Sequence, residues 1–486
     1  LYTDYDNGYD AFSIQNNQFV GSDEPGEDSQ ETKAGSLKIS GPLNAAVDLV
    51  SITSLANSDI VFAFDADWEN REKYLPDYEI AYSTDNPRER DTISQELRFV
   101  SGSEGRLFND TTDWVLGLYY SNLDEDNDLT NLGDFTDFFD ATGFGCTTVG
   151  SCLSERSVQS NFESDTYAIF GATETALTSN LALSVGLRYE RWEADYKDTW
   201  LDTGLFPAVS GTYDFSPDDN LIGGHVTLSY AWEEDIRGYA RIARGFKAGG
   251  FNPSVNALAD NGVANQFGGG AIFYDPEYLW NYEVGLKTLW LAGALSADIS
   301  VFYMDRDDAQ LSQSAQLTGD PAGFVFITDN GEAESYGLEA SVAWQATRSW
   351  QFYGSLGWLN TEIDKWDIRP EVEGRDLAHA PSYTLNVGTL WNGPAGWYGR
   401  VDVNAVDDYY FDISNDQKAD SYEIVNLRLG RAWDNFDVSL WVRNAFDEDY
   451  STRGFFFANE PPFTQDELYT RFGDPRQAGV TLSYGF

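Results

Sequence analysis

The sequence is poor in the residues that do chemistry. It holds two cysteines and two histidines in 486 residues. His225 and His379 are far apart, no metalloprotease helix is present, and no serine sits in a glycine-flanked elbow. No catalytic residue, resident metal or cofactor is therefore expected, and the chain does not read as an enzyme. Cations are scarce too. Thirty Lys and Arg stand against eighty Asp and Glu, a net charge of −50. Nucleic acid is excluded as a partner, because its phosphates demand basic side chains. No run approaches the ~18 apolar residues that would cross a bilayer as a helix. Proline is limited to 15 residues, and no shift in composition marks a domain boundary. The acid surplus itself leaves several readings open: solvated external loops, divalent cations, a cationic or metal-bearing solute, or a saline habitat.

What is abundant is aromatic residues, at 15%, and an alternation of apolar with polar side chains, the strand period. Leu295, Ala297, Ile299, Val301 and Tyr303 interleave with Ser296, Asp298, Ser300 and Phe302. Leu181, Leu183, Val185, Leu187 and Tyr189 interleave with Ala182, Ser184, Gly186, Arg188 and Glu190. The segments Val425–Gly430 and Phe436–Arg443 behave alike, with Arg428, Asp437 and Arg443 on the polar face. A sandwich would point its apolar face at a core. Here the segments are long, and Tyr189, Trp192, Tyr303, Trp358, Trp397 and Tyr398 recur near their ends, as in interfacial aromatic girdles. The expected fold is all-β, a transmembrane antiparallel barrel with Ile299 and Leu440 toward lipid and Asp298 and Asp437 toward the lumen.

About 18 strands are expected, starting near residues 1, 31, 46, 90, 112, 162, 181, 222, 237, 279, 294, 331, 350, 381, 396, 420, 436 and 474. Short connections such as Gly41-Pro42-Leu43-Asn44, Thr178-Ser179-Asn180 and Trp433-Asp434-Asn435 alternate with long polar stretches, among them 125–161, 199–219 and 249–278. This asymmetry belongs to bacterial outer-membrane barrels, with short periplasmic turns and long external loops. It makes the first strand run outward and the last inward. Val480, Leu482, Tyr484 and Phe486 alternate with small residues up to the end. A terminal strand ending in Phe486 resembles the signal read by the barrel-assembly machinery.

Several segments resemble TonB-dependent outer-membrane receptors of the siderophore type. They are Asp6-Asn7-Gly8-Tyr9-Asp10-Ala11-Phe12-Ser13, Arg244-Gly245-Phe246-Lys247-Ala248-Gly249-Gly250-Phe251-Asn252, Asn444-Ala445-Phe446-Asp447-Glu448-Asp449-Tyr450, and Gly473-Asp474-Pro475-Arg476 onward. The resemblance implies energised import of a scarce solute, a siderophore-like metal chelate foremost, with TonB as periplasmic partner. It also implies a 22-stranded barrel around an N-terminal plug. On that reading residues 1–486 are the barrel without its plug and first strands, because the chain opens in mid-pattern at Leu1-Tyr2-Thr3-Asp4-Tyr5. The alternative is a passive, acidic, 18-stranded porin.

The residues singled out for recognition follow from position. Arg244, Lys247, Phe251 and Asn252 stand where a strand enters a long loop, on a chain otherwise short of cations. They either hold an anionic or chelate-type ligand, or pair with lumenal carboxylates such as Asp298 and Glu283, or meet lipopolysaccharide and lipid headgroups. Phe455 and Phe456, in an unusually apolar loop, either pack over the mouth or stack on a ligand. Asp124-Glu125-Asp126-Asn127-Asp128 echoes a calcium loop, but Leu129 occupies the place of its turn glycine. Cys146 and Cys152 are expected to close a loop as a disulfide, since a five-residue gap permits the required Cα separation of ~5.5 Å.

Overall fold

A computed structural model of the chain describes residues 1–8, 12–14, 19–24, 26–73, 75–76, 79–134, 153–203, 209–252, 273–316, 324–457 and 466–485. Twenty strands join into one antiparallel sheet. Ala81–Asp85 and Pro87–Ser101 are halves of one crossing, and so are Val209–Phe215 and Asp218–Glu233, because each half-pair lies against the same neighbour. That leaves eighteen wall strands among the described residues, the number the alternation predicts, the first of them represented by Tyr2–Asp6 alone.

Side-chain period decides what each face meets. Along Leu295–Gln316, Ile299 and Val301 are 44% and 48% exposed on one face. Their neighbours across the ladder, Leu286 and Val284 on one side and Ala340 and Leu338 on the other, continue an apolar belt. A belt of exposed aliphatic side chains is stable only against hydrocarbon. The other face brings Asp298, Ser300, Glu283 and Glu339 around one polar recess of the lumenal wall. This places Asp298 in the lumen, as expected. Asp437 likewise accepts the Tyr398 hydroxyl at 2.9 Å.

The lumenal face is not only small and charged. His225, Phe170, Tyr239, Phe302, Tyr353, Tyr398 and Trp441 each stand directly opposite a glycine of the next strand. A Cβ on any of those glycines would fall within 2.2–2.8 Å of the facing ring. Glycine is required there because the ring lies flat where a side chain would stand.

Strand length departs from the expected loop boundaries. Thr112–Asp134, Leu153–Ala176 and Leu181–Thr203 run for 23, 24 and 23 residues. A tilted strand crosses hydrocarbon in about 9–11, so their outer halves project as a palisade beyond the membrane. Much of 125–161 and 199–219 is therefore strand rather than loop. Asp124–Asp128 lie inside Thr112–Asp134, where alternate carboxylates point to opposite faces and cannot wrap one ion. The first periplasmic turn is also shorter than expected. Glu27–Asn44 continues to Asn44, the turn is Ala45–Ala46, and the Asn44 Oδ1 accepts both the Ala46 and Val47 N–H groups.

The edges of the sheet bear on closure. Tyr2–Asp6 pairs with Glu27–Asn44 only as far as Lys33, with Leu1 and Ala34 exchanging backbone bonds just beyond. On that side Gly35–Asn44 has no partner among the described residues, and all ten residues are exposed. Among the described residues Gln477–Tyr484 has a register with Phe436–Arg443 alone.

Candidate ligand-binding mouth

The palisade brings loop side chains into three apolar clusters at the external end. In Leu181–Thr203 the lumenal positions carry Gly186, Arg188 and Glu190 within the membrane and continue as Ala194, Tyr196 and Trp200, all buried. Tyr196 stacks on Phe215 (centroids 6.1 Å), and Trp200 on Tyr213 (6.4 Å). Phe251 enters this cluster from its loop, 4.8 Å from Tyr196 and 5.5 Å from Phe215. Asn252 is 5% exposed, and its side chain brackets Thr328, donating to the carbonyl at 2.8 Å and accepting from the N–H at 2.9 Å. Such a two-way amide clamp fixes the loop against the Phe324–Gln345 strand.

The second cluster joins segments at opposite ends of the sequence. Phe12, Trp68, Phe457 and Tyr469 are buried together, with Phe455 against them. Phe455 lies 5.1 Å from Phe12 and 5.6 Å from Trp68, and reaches Phe326 at 6.3 Å. Arg453 stands 5.0 Å over its ring. Phe455 is thus packed among other rings at the external end. Phe456, opposite Leu468 in the small sheet, is half-buried.

The third cluster holds Leu311, Ala333, Ile363, Trp366, Val372 and Ile413. It anchors a loop cavity lined by Arg369, Arg375, Tyr410 and Asn415 among four acids. Arg375 pairs with Asp416 and lies 4.4 Å over Tyr410, whose other cation is Lys418 at 4.2 Å. His379 adopts a left-handed backbone (φ 54°), donates its N–H to the Tyr410 carbonyl, and sits beside Tyr409. Burial pushes its imidazole below the ordinary histidine value, so it stands there neutral.

Of the residues expected on a recognition rim, Phe251, Asn252 and Phe455 are brought to the mouth. Lys247 is exposed opposite Glu277 at the strand end. Arg244 is not at the mouth. It shares the outward face of Ile236–Lys247 with Ile242, because two residues separate them and no bulge intervenes. The expected pairing of Arg244 with lumenal Asp298 or Glu283 is thereby ruled out. Cys146, Cys152 and Phe486 lie outside the described residues. Missed by the sequence reading were Trp68, Tyr196, Trp200, Trp366 and Tyr469. For Tyr196 and Trp200 a signal existed: the lumenal period continues past the apolar belt and turns from charged to aromatic.

A family model described as TonB dependent receptor-like, beta-barrel, matches residues 1–445. The chain belongs to that family. Its members are outer-membrane transporters and receptors, and the chain is an outer-membrane β-barrel. It is 26% identical over 373 residues to the pesticin receptor of Yersinia enterocolitica, covering 74% of the chain and 48% of that protein. It is 22% identical over 309 residues to the metal-pseudopaline receptor CntO of Pseudomonas aeruginosa, covering 62% and 38%. The chain thus spans about half the length, or less, of these curated relatives. Among solved structures, the ferric yersiniabactin uptake receptor FyuA from Yersinia pestis superposes with a TM-score of 0.72 at 18% identity, covering 98% of this chain and 65% of that one. The siderophore receptor PiuA from Acinetobacter baumannii gives 0.68 at 16%, covering 97% and 66%. At such identities these likenesses concern the fold alone.

Proposed function

We propose that the native protein is an energised importer of a metal chelate, of which residues 1–486 supply the barrel wall and the external mouth. The observation that carries this reading is the family match over residues 1–445. Relatives named as receptors for pesticin and metal-pseudopaline support the substrate class. In this reading the chelate binds at the aromatic-rich mouth near Phe251 and Phe455, and Lys247 supplies a positive charge there. TonB delivers the energy through a segment outside this sequence, and the barrel-assembly machinery reads the terminal strand ending in Phe486. The chain carries out no bond-making chemistry of its own.

Membership of this family supports a barrel larger than the eighteen strands described. The two edge strands run in opposite directions, so an even number of further strands closes the gap, about four for a barrel of the plugged-transporter size. A folded plug outside this sequence then fills the bore, with the lumenal Arg428 and Arg443 among its charge partners. Arg428 spends two N–H groups on the Ser439 hydroxyl, and Arg443 lies over Trp441. Both keep donors for a carboxylate of the plug.

Conductance tests this against the porin. The full native polypeptide in a planar bilayer is expected to stay closed, while residues 1–486 alone leak. A large, steady conductance from the full polypeptide contradicts the proposal.

A further inference from the structure

Arg244 stands at the outer end of Ile236–Lys247, on the lipid side of the wall. Its guanidinium lies 3.7 Å above the Tyr278 ring centroid and 5.7 Å from that of Trp280. Nη1 donates to the Ile222 carbonyl at 3.2 Å, and Nε is buried without a partner. In register it faces Gly224, which adds no side chain, on one side and Trp280 on the other. Among the described residues no carboxylate pairs with it, although acids outnumber bases by eighty to thirty. The outward Asp305 follows in the same row, but Trp280 stands between. Arg244 comes eight residues after Ile236. At ~3.3 Å per residue and a tilt of ~40°, that is roughly 20 Å up the wall, near the top of a ~25 Å apolar band. Directly below it, a shallow apolar groove runs down the outer wall between Ile242, Tyr282, Val284, Val301 and Tyr303.

A guanidinium held against aromatic faces has given up hydration on those faces, while its Nη edge keeps N–H donors beyond the one spent on Ile222. A phosphate answers those donors with two oxygens at the spacing of the guanidinium fork. We propose that Arg244, Tyr278 and Trp280 hold the phosphate of an outer-leaflet lipid, whose acyl chain lies in the groove beneath. The site is a contact with the surrounding membrane, separate from the mouth, and it rests on the reading that long loops face outward. Arg431 provides an internal comparison at the opposite girdle. It lies 5.6 Å from Trp397 and 5.5 Å from Trp433, and spends Nε on the Ala395 carbonyl.

The test uses the full native protein in mild detergent and native mass spectrometry, with phosphorylated and dephosphorylated forms of an outer-leaflet glycolipid as probes. The wild type is expected to retain the phosphorylated form, and Arg244→Gln to retain it about tenfold less, the scale of a charge-assisted bidentate contact. Arg244→Lys keeps the charge without the fork and falls between, while Arg431→Gln leaves this retention unchanged. Millimolar inorganic phosphate does not displace the lipid, because it lacks the chain that fills the groove. Equal retention by Arg244→Gln, equal retention of the dephosphorylated lipid, or displacement by free phosphate overturns the proposal. Should Arg244→Gln fail to assemble, the two lipids and the phosphate competition on wild type still decide. Chelate uptake by Arg244→Gln is expected to be normal, so a loss of transport alone points at the mouth instead.

Discussion

The two faces of the strands between Tyr2 and Thr203 carry the same charged residue types and pair them to different extents. On the lumenal face, acids are neutralised by arginine: Arg90 with Glu125, Arg98 with Glu96, Arg188 with Glu190. On the outward face above the aromatic girdle, acids face acids. Asp91, Asp124, Glu163 and Asp195 stand directly opposite one another across four strands, and Asp4, Glu31, Asp59, Glu89 and Asp126 do so across five. Like charges directly opposite destabilise a sheet. Some outward acids receive cations, Lys33 on Glu31 and Arg191 on Glu193, but several are held by amide donors: Asn57 bonds Asp91, Asn161 bonds Asp124 and Asp126, and Asn122 bonds Glu163 and Asp165. The difference is one of solvent. A lumenal wall packed against other groups needs its charge cancelled, whereas a wall standing in salt water has it screened. These rows of acids are thus a property of the palisade rather than of a ligand site.

The comparison can be broken in graded steps. The largest effect is expected in the hydrocarbon band, where Ile299→Arg costs roughly 2–4 kcal/mol in bilayer refolding. A charge of either sign at lumenal Ser300 costs far less, and equal costs at the two positions contradict the assignment of faces. Next, Gly430→Val drives a branched side chain into the Tyr398 ring, whose atoms lie as near as 2.2 Å to the would-be Cβ. A loss of about 1–3 kcal/mol is expected, relieved in the double variant with Tyr398→Ala. Removing one outward acid is smaller and of opposite sign. Asp124→Asn stabilises by about 0.2–1 kcal/mol at low salt, and the gain vanishes near 1 M salt. A salt-independent gain removes repulsion as the cause.

The subtlest step is a pH response at the mouth. Asp65 binds the N–H groups of Asp23, Glu24, Asp67 and Trp68, and Asp67 binds those of Glu69 and Tyr82. Burial, then the neighbouring Asp65, push Asp67 up to about 9. An acid whose value is raised on folding stabilises the fold while protonated. Its contribution is full below the ordinary value of 3.8 and is lost as pH rises through about 9. Proteolysis in the 65–70 segment is therefore expected to quicken steadily from about pH 4 to about 9 in the wild type, to level off above that, and to lack this rise in Asp67→Asn. A matching rise in the variant assigns the effect elsewhere.

What could be read from the sequence divides along the same line as the two solvents. Within the membrane, lipid dictates every second residue, so eighteen wall strands, their direction and the facing of Asp298 and Ile299 were legible from alternation. Above it, no solvent constraint marks where a strand stops, and Thr112–Asp134 runs on through residues that looked like loop. The mouth was least legible. Phe12, Trp68, Phe455 and Tyr469 meet only because the fold brings the two ends of the chain together, and no local pattern encodes that. Arg244 was misplaced for a simpler reason: its closeness to a long loop outweighed its parity with Ile242.

That parity is the central claim, and it can be measured directly. Single cysteines at Asp298, Ile299, Ser300 and Val301 of the full native protein, each spin-labelled, report contact with a lipid-soluble or a water-soluble relaxer. A Cys146–Cys152 disulfide, which we propose, would keep both thiols silent in the unreduced protein, and thiol labelling of the denatured parent checks this first. The account predicts strict alternation, with Ile299 and Val301 relaxed from the lipid and Asp298 and Ser300 from water. A lipid signature at Asp298, or no alternation at all, contradicts it.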